Sequence, residues 1–141
     1  VQDRYRSNEP RFVDETIGGE ALIMDMVRGS YYSCVGASAS VWNALKGGAT
    51  GTEVAEQMAA LGVERRRVDD DLAVFVAALL ADELLVPRGD GVAGEPVLLE
   101  ELGWPAEYAG LELERYTDLA DLILLDPVHD VSEDGWPRTA E

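Results

Sequence analysis

The sequence predicts an α+β domain: a winged-helix-like unit with a three-stranded antiparallel sheet followed by three helices, plus an acidic C-terminal extension. Three observations predict it. Apolar residues alternate with period two between residues 12 and 35. They then recur at spacings of three and four between residues 37 and 83. Beyond a Pro/Gly-rich stretch, Pro87 to Pro96, the acid content rises sharply.

Phe12 to Ile17 reads as the first strand, ended by Gly18-Gly19. Ala21 to Val27 reads as the second, with Leu22, Met24 and Met26 on one face and Ile23 on the other. Arg28-Gly29-Ser30 is a tight turn, and Ser30 to Val35 is the third strand, whose neighbours Tyr31 and Tyr32 must point to opposite faces. Ala37, Val41, Ala44 and Leu45 then fall on a helical stripe beside Trp42, and this helix stops at Gly47-Gly48. Thr50 or Thr52 can cap a second helix, lined by Val54, Met58 and Leu61 and ended by Gly62. The third runs from near Glu64 to about Glu83 on an apolar stripe of Val68, Leu72, Phe75 and Leu79. Leu84 to Pro87 leaves it as a short extended segment, a candidate closing strand.

At 141 residues the chain is one domain, or one small domain with an appendage, and its 47% hydrophobic content is enough to bury a core. The boundaries read as an N-terminal arm (1–10), a folded domain (11–88), a linker (89–96) and the extension (97–141). The formal charge is −17, with 13 acidic and 2 basic side chains in residues 95–141. Nucleic-acid binding rests on neutralising phosphates with Lys and Arg, and anionic membranes attract basic segments. Neither partner is expected here. Cys34 is the single cysteine, so there is no intrachain disulfide framework. The opening VQDRYRSNEP has no apolar signal core, and the apolar runs fall short of a membrane span. A soluble, cytoplasmic protein is the expectation.

The ordered residues Gly29, Tyr31, Tyr32, Ala39, Val41-Trp42, Gly47, Thr50, Glu53 and Val54-Ala55, followed by Val68, Asp71, Phe75 and Leu84-Leu85, carry a resemblance. Over about residues 11–87 the chain resembles the PqqD-like peptide chaperones, or RiPP recognition elements. These bind leader peptides of ribosomally made, post-translationally modified peptides. Cys34 and Val35 stand where the family usually has Leu-Asn; the Asn would help cap the first helix, and Ser38 is the available substitute. The resemblance implies that a leader adds as a strand against the third strand, in a cleft shared with the third helix. It places backbone contacts at Ser30, Tyr31, Tyr32, Ser33, Cys34 and Val35. Side-chain contacts are expected from Arg66, Arg67, Asp70, Val74 and Ala77, with Ala78 alongside. Arg65-Arg66-Arg67, the basic cluster of an acidic chain, can anchor a leader carboxylate.

Structural readings stand beside these. One of the two tyrosines is expected in the core, and Trp42 is expected to pack the first helix on the sheet. The arginine cluster also reads as a solvated helix start, although cations there oppose the helix dipole, and Asp69–Asp71 compensates that dipole. Cys34 reads as a small buried hydrophobe. His129, the one histidine, lies near Asp126 and Asp130, but no second His or Cys supports a metal site and no motif places a nucleophile beside it.

The extension is not a plain solvating tail. Trp104, Tyr108, Tyr116 and Trp136 add bulky apolar groups, and Leu119, Leu122, Ile123 and Leu125 or Val128 can line a short helix ended at Pro127. Three readings compete: packing back on the domain, docking on a partner enzyme, or acting as a leader-like segment. Pro96–Gly103 partly resembles a lasso-leader element. The docking arm is the favoured reading, with Leu122, Leu125, His129 and Trp136 as its contacts.

Together these readings predict a non-catalytic adaptor that captures a precursor leader and presents it to a separately encoded modifying enzyme or protease. No catalytic residue, cofactor or metal ligand is expected, and an open third strand would also let two copies pair as a homodimer. The alternatives are a fused chaperone–precursor whose tail is itself bound or modified, and a winged-helix regulator.

Overall fold

A computed structural model describes residues 4–88 and 98–117. The chain is a mixed α+β fold of antiparallel sheets and three helices. In chain order it runs β1 (Tyr5–Ser7), β2 (Phe12–Ile17), β3 (Glu20–Asp25), β4 (Tyr31–Val35), α1 (Ala37–Lys46), α2 (Gly51–Ala60), α3 (Arg65–Ala81) and β5 (Leu85–Pro87). A 3-10 turn at Leu99–Leu102 and β6 (Glu114–Tyr116) follow.

The main sheet has the order β2-β3-β4-β6, all antiparallel. This corrects the three-stranded expectation: the extension itself supplies a fourth strand. β1 and β5 form a second, two-stranded sheet, with Tyr5 opposite Pro87 and Ser7 opposite Leu85. Residues 5–7 of the expected arm are thereby tied to the end of the helical segment, and the Tyr5 side chain is buried in the core.

Strand alternation decides which side chains enter that core. Phe12, Ala21, Ile23, Tyr32 and Cys34 project from the sheet to meet Val41, Trp42, Leu45, Val54, Met58 and the stripe of α3. Val68, Leu72, Phe75 and Leu79 are the buried residues of α3, at the spacing the sequence shows. The more apolar face of β3 is the outer one. Met24 is 37% exposed, whereas Ile23 is fully buried. Burial of Cys34 pushes its thiol up to about 12, so it stays a protonated, inert hydrophobe.

The helix starts differ. Thr50 caps α2 with a reciprocal pair: its hydroxyl accepts from the Glu53 N–H, and the Glu53 carboxylate accepts from the Thr50 N–H, each at 3.0 Å. Arg4 grips the same carboxylate with two bonds of 3.1 Å, and with the Thr50 N–H this holds Glu53 below its usual range. α1 starts from Gly36, at φ 63° and ψ −124°, with no side-chain cap. That backbone geometry suits glycine. Ser38, expected as the substitute cap, turns elsewhere: its Oγ accepts from the Glu112 N–H at 2.7 Å.

Of the three readings of the extension, packing back on the domain describes residues 98–117. Leu99 is fully buried, and Leu102, Trp104, Tyr108, Leu111 and Leu113 pack against the core. Leu122, Leu125, His129 and Trp136 lie outside the described residues.

Candidate peptide-binding cleft

β4 places its two edges in different settings. One pairs with β3 over five residues, from Glu20 opposite Val35 to Met24 opposite Tyr31. The other takes β6, with Tyr31 opposite Tyr116, Tyr32 opposite Arg115 and Ser33 opposite Glu114. The two tyrosines face opposite ways, as strand geometry requires. Tyr32 points to the helices. Its ring lies 6.3 Å from that of Phe12, and its hydroxyl donates to Asp82 at the end of α3 at 3.0 Å. Burial and that hydrogen bond both raise its titration above the ordinary tyrosine value. Tyr31 lies on the outer face and stacks on Tyr116, centroids 4.6 Å apart and planes 12° apart. Both rings are nevertheless 3% exposed, so burial of one tyrosine was foreseeable and burial of the outer one depends on its surroundings.

The remaining expected contacts fall as follows. The Ser30 carbonyl accepts from the Asp25 N–H at the turn, Ser33 is buried with its hydroxyl donating to Glu20, and Cys34 faces the core. Val35 is 62% exposed, because the extension leaves the β4 register there. Instead of continuing the ladder, the Glu112 N–H bonds Ser38, and an open groove of about 380 Å³ remains between residues 33–38 and 105–114. On α3, Arg67 sits over the Tyr108 ring at 4.6 Å, and Tyr108 donates to Asp71 at 2.7 Å. Burial, then this bond, pushes the Tyr108 hydroxyl well above its ordinary range, so it remains a donor. Val74 is 71% exposed. At about 100° per residue, Arg67, Asp71, Val74 and Ala78 share one face of α3. Arg66 and Asp70 are exposed and lie further round, and Ala77 lines a separate groove between α2 and α3.

The sequence does not mark Asp71, Ser38 or Ser40 as contacts of the extension. Asp71 was absorbed into the dipole-compensating run, yet its spacing of four from Arg67 was a usable signal: the two form an ion pair at 3.5 Å. Ser40 is fully buried in α1 and donates to the Leu102 carbonyl at 3.0 Å. Gln57 of α2 accepts from the Leu99 N–H at 2.7 Å. Small polar residues at the start of α1 thus receive backbone, which needs close approach rather than bulk.

The arrangement can bind an extended chain; among the described residues no group of His, Cys, Asp and Glu is placed to hold a metal ion. No helix among them is long and apolar enough to cross a membrane. Polar groups mark both ends of the cleft, Arg67 with Asp71 at one and Arg11, Arg28, Asp82 and Glu83 around Arg115 at the other.

Residues 20–85 match the family described as PqqD, Coenzyme PQQ synthesis protein D. Comparison with curated proteins returns no match. Among solved structures the chain is similar to TbiB1 in complex with the TbiA(beta) leader peptide. The identity is 26% and the TM-score 0.53, over 57% of this chain and 93% of that one. The matched family span runs from the start of β3 to the start of β5 and contains β4 and α3. Residues 20–85 of this chain are therefore similar to the PqqD family.

Proposed function

We propose that the chain is a non-catalytic adaptor that captures the leader of a ribosomally made precursor peptide. The leader adds as a strand to β4, its side chains meet α3, and the core peptide is presented to a separately encoded maturation enzyme or protease. One observation carries this reading: the outer edge of β4 accepts an extended segment in antiparallel register. An exposed edge offers unpaired N–H and C=O groups to any strand, and flanking side chains then select among strands. The similarity to a protein solved with a leader peptide supports a peptide partner. The sheet followed by three helices fits a winged-helix-like scaffold, but one built for peptide rather than DNA, since α3 carries Asp69, Asp70 and Asp71 against its three arginines. A reducing cytosol suits the single buried thiol.

The adaptor needs no chemistry of its own, because holding substrate beside enzyme raises effective concentration. The test is titration of labelled leader peptides from short reading frames neighbouring the gene. Micromolar or tighter binding is expected, weakened about tenfold or more in the R67E variant, given typical energies of desolvated charged contacts. Absence of binding by every such leader would sink the proposal.

The strand pairing of β6 favours a second reading, in which the extension is itself the bound or modified segment of a fused chaperone–precursor. Its check is intact-mass analysis after incubation with the pathway enzymes: a mass change within residues 98–141 supports it, and an unmodified extension removes it.

A further inference from the structure

The segment that occupies β4 is held unevenly. Its upstream part is firmly docked: Leu99 is fully buried, with its N–H on Gln57, and the Leu102 carbonyl accepts from Ser40. Downstream the grip is lighter. From Gly103 to Thr117 every residue is half-buried or exposed, and β6 pairs with β4 over three residues, whereas β2 and β3 pair over six. Gly103 and Gly110, at φ 86° and 103°, interrupt this stretch with left-handed backbone. The side chains nonetheless meet both walls of the cleft. Tyr108 engages Arg67 and Asp71, Leu111 and Leu113 pack against the core, Arg115 lies beside Tyr32 and Asp82, and Tyr116 stacks on Tyr31.

We propose that Tyr108–Tyr116 is an internal stand-in for the peptide ligand. A foreign peptide binds by exchanging with this segment while Leu99–Leu102 stays docked. The peptide so selected is extended, with an aromatic side chain, then aliphatic ones three and five positions on, and a basic–aromatic pair at its end. The proposal rests on the peptide-binding reading above and adds the ligand's chemistry and the step of exchange.

The physics of exchange makes the stand-in selective. An incoming strand replaces the same backbone hydrogen bonds that the departing strand gives up, so those bonds contribute little net preference. Side chains decide the outcome. A tethered segment competes at an effective concentration on the order of millimolar. The apparent affinity of any free peptide falls by the fraction of molecules whose cleft is open. A peptide offering only a strand edge is therefore excluded, whereas one that fills the places of Tyr108, Leu111 and Leu113 better than the tether does can enter. The same cover keeps an otherwise open β4 from pairing with other copies.

The test uses the full chain and a labelled synthetic peptide of its own residues 106–117 as probe. The double substitution L111D/L113D loosens the stand-in without touching β4, α3 or Leu99. The variant is expected to bind the probe at least about 30-fold more tightly than the unaltered chain, and neither protein should bind a probe carrying the same two aspartates. Equal probe affinity for both proteins, or equal affinity of both probes, overturns the proposal. Hydrogen exchange on the unaltered chain gives an independent readout: amides of residues 114–116 should exchange faster than those of β2 and β3, and equal protection counts against exchange. The two proposals fail separately. If the probe enters the loosened cleft but no leader does, the leader reading falls and exchange stands. If leaders bind both proteins with equal affinity, exchange falls and the leader reading stands.

Discussion

Asp25 shows how one residue organises the turn between β3 and β4. Its carboxylate is nearly inaccessible, yet it accepts from Arg11 through two nitrogens, at 3.1 and 3.3 Å, and from the N–H groups of Val27 and Arg28. Burial works to raise its titration, but the Arg11 bonds and the two backbone donors outweigh it and hold Asp25 below the usual carboxylate range. A depressed folded value stabilises the protein above the unfolded value of about 3.9, and that contribution is lost as pH falls through the folded value. D25N is therefore expected to unfold at lower urea at neutral pH. Its midpoint should also fall less than that of the unaltered chain between about pH 6 and about pH 3. Parallel midpoints across that range would show that Asp25 does not couple to folding. Phe75 poses a simpler case: it is 2% exposed at the centre of the α3 stripe, and F75A should cost about 3–5 kcal/mol in denaturant titration. Its position was legible because a helix that buries one face repeats that face in sequence. Burial of Tyr31 was not legible, since it lies on the sheet's outer face against Tyr116, 85 positions along.

At the scale of elements, legibility tracked whether an element makes itself or is made by its neighbour. α3 carries its own periodicity, and α2 carries its own start signal in Thr50 and Glu53. T50A removes that reciprocal cap and should lower stability by about 1 kcal/mol, read from urea unfolding; T52A, at the second residue of the helix, should cost less. If the two variants are indistinguishable, the capping geometry is not what holds the α2 start. β6 has no such signal. Glu-Arg-Tyr does not alternate, carries no turn chemistry, and is extended because β4 offers it an edge. The α1 start was misread for a related reason. Ser38 is the available substitute for the family's capping Asn, but its hydroxyl serves Glu112, 74 positions away. Local patterns predict local bonds, and the cleft is built almost wholly from distant ones.

For the whole molecule, Leu99 decides whether extension and domain behave as one unit. It is fully buried between α1 and α2, whereas every other described residue of the extension is half-buried or exposed. Truncating a fully buried leucine costs about 2–5 kcal/mol, an appreciable part of the 5–15 kcal/mol that holds a typical domain. L99A should therefore lower the unfolding midpoint of the entire chain. It should also speed hydrogen exchange along 112–116 and along the β4 edge, because the docked turn and the strand are joined by only eleven residues, 103–113. The L111D/L113D substitution should speed exchange along the same edge with a much smaller effect on the global midpoint, since it acts only on half-buried positions. The contrast between these variants is the measurement. If L99A leaves the β4 edge as protected as before, the turn and the strand are independent attachments. The extension then joins the domain at two unrelated points, and the length of chain between them carries no tension from one to the other.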